Sequence, residues 1–187
     1  MTEDAGYRPG GSAKSAPDTL GQVPKLAARR AAVVACTLGL GHAAVSAYWA
    51  LGGTALLDTI GGSLERWGRE REPALVASLW LVVVVKVMVA AAAPVLAGVG
   101  GGVLPAWTRG RLPRLLGWIA ATGLVLYGAV MTSAGLLVEA GVLDAAADAD
   151  QTALAWHAFF WDPWFLLWGV AFSLSLWASR PIPPSRR

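Results

Sequence analysis

Four long apolar runs, separated by short polar connections, set the architecture of this chain. They cover residues 31–51, 74–99, 115–138 and 153–177, and each has at least 21 residues. A helix of that length crosses a hydrocarbon layer of about 30 Å at about 1.5 Å per residue. A soluble domain of 187 residues would bury one such run but hardly four. The pattern predicts an all-α protein, a transmembrane four-helix bundle occupying residues 25–180.

The two ends of the chain lack any apolar periodicity. Residues 1–24 are rich in Gly, Pro, Ser and Ala and are predicted to form a disordered cytoplasmic tail. Residues 181–187 contain three prolines and form a second predicted cytoplasmic tail that cannot continue a helix. The first apolar run is longer than a signal-peptide core and follows roughly 30 residues, so we expect no cleaved signal peptide.

The charges predict how the chain is oriented in the cell membrane. Eleven Lys and Arg residues fall in the tails and the second connection: Arg8, Lys14, Lys25, Arg29, Arg30, Arg109, Arg111, Arg114, Arg180, Arg186 and Arg187. The other side has Arg66, Arg69 and Arg71. The positive-inside rule then places both termini in the cytoplasm. Because the basic residues flank membrane spans, they indicate contact with lipid rather than with nucleic acid.

Three ionisable residues are predicted to lie deep within the spans, where burial makes them functional candidates. His42 and Lys86 lie in the first two runs, and Asp162 lies in the fourth. If the fourth span is one continuous helix, all three share one level, and Asp162 is predicted to neutralise Lys86. Alternatively, Asp162 caps a shorter helix that begins at Pro163, because Asp and Pro favour those two positions. The sequence leaves both alternatives open.

Aromatic residues gather around these polar positions and predict a cavity that opens outward. Tyr48 and Trp49 end the first run, Trp161 and Trp164 flank Asp162, and His157 precedes them. Two histidines on different spans raise the hypothesis of a haem, but their depths differ too much for one iron. No Cys, His and carboxylate cluster has zinc-ligand spacing, and Cys36 stands alone. We therefore expect no cofactor and no metal.

Small residues form strips on two of the predicted helices. Ala35, Gly39, Ala43 and Ala47 recur every four residues in the first run, and Ala121, Gly128 and Gly135 every seven in the third. Such strips let a neighbouring backbone approach closely. They predict a compact bundle, and the same faces could join two copies into a homo-oligomer.

Two segments carry a resemblance to a known family. His42 is followed after five residues by the segment Tyr48–Gly53, YWALGG, and Trp161–Gly169 reads WDPWFLLWG. Together these segments resemble an uncharacterised family of small bacterial four-span membrane proteins, over roughly residues 31–178. The resemblance implies that both segments share one half of the bundle, and it implies no activity.

Three classes of function remain open on the sequence. An apolar cavity with a few polar groups favours binding or transport of a lipid-like or amphipathic small molecule. A membrane-embedded enzyme would use His42 or His157 as acid or base with Asp162 as orienter. A structural or assembly partner would use the small-residue strips but leaves Lys86 unexplained.

Overall fold

The computed structural model describes residues 19–99, 105–147 and 149–180, with side chains from residue 25 onward. Helix α1 is Thr19–Ala50, α2 is Gly62–Glu70, α3 is Pro73–Leu96, α4 is Arg111–Glu139, α5 is Gln151–Trp156 and α6 is Asp162–Ala178. Short 3-10 turns occupy Leu57–Thr59 and Ala106–Arg109, and a π-helical turn, His157–Trp161, joins α5 to α6. The part of the chain that is described contains no strand, so the prediction of an all-α fold is confirmed.

Four helical segments are long and apolar enough to cross a membrane, as predicted. They are Lys25–Ala50, Pro73–Leu96, Arg111–Glu139 and Gln151–Ala178. The first helix starts at Thr19, so the predicted tail of residues 1–24 overlaps it by six residues. Residues 1–18 and 181–187 of the two predicted tails lie outside the described residues. The outward faces of the helices are apolar, as with Leu81 and Met88 of α3, which suits contact with lipid.

The helices pack in the order α3, α1, α6, α4. Helix α1 runs along both α3 and α6, and α4 runs along α6, whereas α3 and α4 touch only sparsely. The core lies between these helices around Trp168, Phe172 and Leu176 of α6. This arrangement leaves α1 and α6 at the centre of the bundle and a gap between α3 and α4.

The small-residue strips are buried inside this bundle. A Cβ on Gly39 would collide with the ring of Trp168, and one on Gly135 would lie 2.8 Å from Cβ of Ala158. The absence of side-chain atoms therefore allows α1 and α4 to approach the fourth span closely. The strips are occupied by contacts within the chain, and association with a second copy stays a prediction.

Local sequence signals account for the helix ends near the site. Pro73 occupies the first turn of α3, where its missing N–H is not needed. The Asp150 carboxylate accepts hydrogen bonds from the backbone N–H groups of Thr152 and Ala153 and so caps α5. Arg71, at the end of α2, donates to the carbonyl of Ala50, the last residue of α1. The turn Leu57–Thr59 contacts both α2 and α5, and with the Arg71 hydrogen bond it places both helices at the end of the bundle where α1 ends.

Candidate functional site

Lys86 stands at the centre of a buried polar group formed by α1 and α3. Its Nζ donates to Ser46 Oγ at 2.8 Å and lies 2.9 Å from Nδ1 of His42. Because an ammonium can only donate, Nδ1 accepts and the imidazole proton resides on Nε2. His42 is 5% exposed and Ser46 is 2% exposed. The lysine is thus held by two uncharged acceptors one turn apart on α1.

The predicted ion pair between Lys86 and Asp162 is wrong. Lys86 is bound by His42 and Ser46, and the carboxylate of Asp162 instead lies 3.4 Å from Nδ1 of His157. The Ser46 hydroxyl accepts from Lys86 and itself donates to the backbone carbonyl of His42. Lys86 therefore has its partners on the neighbouring helix α1, and Asp162 has its partner one turn earlier in its own span, so the two charges are not paired with each other.

The π-helical turn explains how His157 and Asp162 meet. In an α-helix, with about 3.6 residues per turn, residues five apart point to different faces. Here the backbone N–H of Asp162 donates to the carbonyl of His157, five residues earlier, and the wider turn brings both side chains to one face. Pro163 follows directly and cannot donate a helical hydrogen bond, which favours such an irregular turn.

The fourth span therefore runs on from α5 to α6 instead of beginning at Pro163. Asp162 has helical backbone angles, and no side-chain cap precedes α6. The alternative in which Asp162 caps a short helix is wrong, and the alternative of a continuous span holds with one π-turn inserted. Asp162 is 2% exposed, so its carboxylate lies inside the bundle.

His42, Lys86, His157 and Asp162 line one cavity of about 400 Å³. Its other polar groups are Ser46 and Tyr127, and most of its remaining wall is apolar. Leu75, Leu79 and Val82 of α3 form one side. Leu64 and Gly68 of α2 lie at the end of the bundle that α2 and α5 cover. The polar layer expected from the sequence exists, although its members pair differently.

The aromatic residues predicted for the site have distinct positions. Trp161 lines the cavity, donates from Nε1 to Thr59 Oγ1 at 3.0 Å and lies edge-on to Trp49, which also lines it. Trp164 is not part of the cavity wall: its ring centre lies 5.3 Å from that of His42, and its Nε1 donates to the carbonyl of Leu38. Tyr48 is not part of the wall either: its hydroxyl accepts from the Ala55 N–H and its ring covers Gly53. Tyr48 therefore shapes the loop that follows α1.

Sequence reasoning missed two aromatic residues of this site. The centres of the Phe165 and His42 rings lie 4.3 Å apart. Lys86 Nζ lies 5.7 Å from the centre of the Phe165 ring, within the range of a cation–π contact. Tyr127 of α4 packs edge-on against Phe165 and lines the cavity. Phe165 falls in the segment WDPWFLLWG, and Tyr127 is the one tyrosine in its span, so both carried a signal.

One buried polar atom of the site has no hydrogen-bond partner among the described side chains around it. This atom is Nε2 of His42, which is enclosed by the rings of Trp161, Trp164 and Phe165. Unpaired buried donors are uncommon in folded proteins. The imidazole is thus held by aromatic packing and by Lys86.

Four spans that enclose a polar cavity define a multi-pass membrane protein. The chain belongs to the family described as protein of unknown function DUF3995, whose family model matches residues 39–172. The matched region contains every residue of the cavity wall, which agrees with the predicted membership of an uncharacterised family. No similar sequence was found among curated proteins, and no similar fold among solved structures.

Proposed function

We propose that this protein binds or transports a lipid-like or amphipathic small molecule in the cavity around Lys86 and Asp162. The cavity itself carries the proposal. Its volume of about 400 Å³, apolar walls and few convergent polar groups are those of small-ligand sites. Charged groups inside a membrane span are costly and are kept mainly where they meet a ligand, ion or proton.

The two charges divide the cavity wall into two regions of different chemistry. Lys86 offers a positive donor beside His42 and Ser46, and Asp162 offers an acceptor beside His157. The apolar residues of α3 lie between this polar wall and the bilayer. A molecule with a polar head and an apolar body matches both parts at once.

Filling the cavity should remove the bound molecule. Leu79 lines the cavity, and Leu79→Trp places a large ring inside it. Overpacking costs about 1–3 kcal/mol, and each 1.4 kcal/mol is tenfold in affinity, so we expect about a tenfold loss of retained amphiphile. The measurement is mass spectrometry of the organic extract of protein purified from its native membrane into synthetic detergent.

Val84→Trp is the matched control, because Val84 lies on the same helix and faces outward at 53% exposure. It should retain as much amphiphile as the wild type. The proposal fails if the wild type retains no amphiphile, or if both tryptophan variants retain equal amounts.

We further propose that both termini are cytoplasmic and that the end covered by α2 and α5 faces outward. Support comes from eleven Lys and Arg residues on one side against three on the other. Reporter fusions after Arg69 should be active outside the cell, and fusions after Arg111 inside. The reverse pattern at either point would refute this orientation.

A second candidate function rests on the pair of His157 and Asp162. A carboxylate 3.4 Å from Nδ1 can orient an imidazole for acid–base chemistry, and His157 is partly exposed. A protein that only binds or transports its ligand would release that ligand chemically unchanged. Appearance of a chemically altered amphiphile with the wild type, and not with His157→Gln, would favour the enzyme.

A further inference from the structure

A second space, lined mostly by apolar side chains, lies beside the polar cavity. It lies in the gap between α3 and α4 and has a volume of about 580 Å³. Its walls include Val85 and Val89 of α3 and Gly123 and Leu124 of α4, and its floor is formed by Phe165 and Trp168 of α6. The gap exists because α3 packs along α1 and α4 packs along α6, with little contact between them. We call this space the α3–α4 groove.

The groove and the polar cavity share part of their walls. Val82, Lys86, Tyr127 and Phe165 line both spaces. The α3–α4 groove therefore adjoins the polar cavity on the side that faces the bilayer. Leu81 and Val85, on the edge of the groove, are largely exposed and would face lipid chains.

Lys86 stands at the junction of these two spaces. Its contacts are with uncharged acceptors, His42 Nδ1 and Ser46 Oγ, and no described carboxylate forms a salt bridge with it. An ammonium has three N–H groups, and a buried charge without a counter-ion is costly in a bilayer. An anion at this junction would supply the missing counter-charge.

We propose that the ligand is an amphiphile with an anionic head, a carboxylate or a phosphate, which reaches the site from within the bilayer between α3 and α4. The head binds Lys86 in the polar cavity, and the hydrocarbon chain lies in the α3–α4 groove. This inference rests on the proposed function and specifies the ligand class and its route. Asp162, oriented by His157, lies in the same cavity and would accept from a hydroxyl or amine on the head.

The chain position is tested with palmitate carrying a mid-chain diazirine, added to the full-length protein in phosphatidylcholine nanodiscs. Photolabelling should concentrate on α3 and α4 near Val85 and Gly123. Gly123 lines the groove and a Cβ there meets nothing within 4 Å, so Gly123→Leu has room to place its side chain in the groove. We expect labelling to fall about tenfold, the loss that 1.4 kcal/mol of overpacking produces.

Thr122→Leu is the control, since Thr122 is the exposed neighbour of Gly123 and does not line the groove. It should leave the labelling unchanged. Labelling that survives in Gly123→Leu, or that spreads evenly over all lipid-facing helices, would overturn the route between α3 and α4.

The charge of the head is tested by competition against the labelled palmitate. Hexadecyl phosphate and unlabelled palmitate should compete, and hexadecanol should compete about tenfold less well, because a charge-assisted hydrogen bond is lost. The stronger competitor, hexadecyl phosphate or palmitate, identifies the head as a phosphate or a carboxylate. Lys86→Met should abolish the preference for anions, and Lys86→Arg should retain it. Equal competition by hexadecanol would overturn the anionic head.

Failure of this inference is distinguishable from failure of the proposed function. If the wild type retains an amphiphile that Leu79→Trp loses, and the groove is not labelled, the cavity binds a ligand of another class or by another route. If neither the retention assay nor the labelling detects a ligand, the inference and the proposed function fall together.

Discussion

Replacing Gly128 with leucine is expected to destabilise the bundle more than a change at any other glycine of α4. A Cβ at this position would lie 2.7 Å from Cα and 2.8 Å from Cβ of Leu166, so α4 meets the backbone of α6 directly. Overpacking costs about 1–3 kcal/mol, and a backbone cannot rotate away as a side chain can, so we expect a loss of about 3 kcal/mol or more. The measurement is the thermal unfolding midpoint in detergent or nanodiscs, and Gly128→Ala should fall between wild type and Gly128→Leu.

Gly123→Leu provides the comparison on the same helix. The same residue is introduced five positions earlier, where an added Cβ meets nothing within 4 Å. Its unfolding midpoint should stay close to that of the wild type. Equal losses in the two variants would mean that glycine in α4 matters for another reason than the close crossing with α6. Gly169 of α6 gives an independent check, because its Cβ would lie 2.6 Å from the backbone nitrogen of Val125.

Truncating Trp168 is expected to cost about 3–5 kcal/mol of stability. This residue is 1% exposed and is the largest fully buried side chain of the core. Its ring occupies the space that Gly39 of α1 leaves open, and it stacks on Phe165. Trp168→Ala therefore removes contacts between α1 and α6 and leaves a cavity at the centre of the bundle. Thermal unfolding in detergent, monitored by circular dichroism, measures the loss.

Trp177→Ala is the matched control for this truncation. Trp177 lies on the same helix, but it is 62% exposed, and its loss should have little effect. The contact with Gly39 can be tested in the same series. Gly39→Leu alone collides with the Trp168 ring and with Cβ of Ala90, whereas in the Trp168→Ala background the leucine can enter the space that the ring left and only the contact with Ala90 remains. The double variant should then be more stable than the sum of the single losses predicts, and strict additivity would argue against the contact.

For the polar residues, the sequence predicts the depth in the membrane but not the hydrogen-bond partner. The depth of a residue follows from counting along its helix, so a continuous fourth span predicts that His42, Lys86 and Asp162 lie near one level, and all three line the same cavity. The partner of each residue depends on how the helices rotate about their axes. Lys86 faces α1 and so finds His42 and Ser46, one turn apart, while Asp162 is directed to His157 by the π-turn. Neither rotation nor the π-turn has a unique signal in the sequence.

For the aromatic residues, too, the sequence predicts the general location but not which ring enters the cavity. The sequence predicts that aromatic residues gather around the polar positions of the site. Which ring enters the cavity followed from tertiary contacts. Trp161 and Phe165 contact His42 and line the cavity, whereas Tyr48 turns toward its own loop because the Ala55 N–H offers it a hydrogen bond. Local hydrogen bonds of this kind compete with the cavity for the same side chain.

Hydrophobic length alone determined that this protein crosses a membrane four times, because each apolar run must satisfy its backbone within a helix to lie in hydrocarbon. Sequence also marked the polar residues at the site, since charges are rare in such spans and stand out. Only the tertiary structure decided that α1 and α6 form the centre, that α3 and α4 stay apart, and that a polar cavity adjoins an apolar groove. Those features depend on the close packing of the helices at Gly39, Gly128 and Gly169. How closely two helices approach depends on the surfaces of both helices, so it cannot be predicted from the sequence of either helix alone.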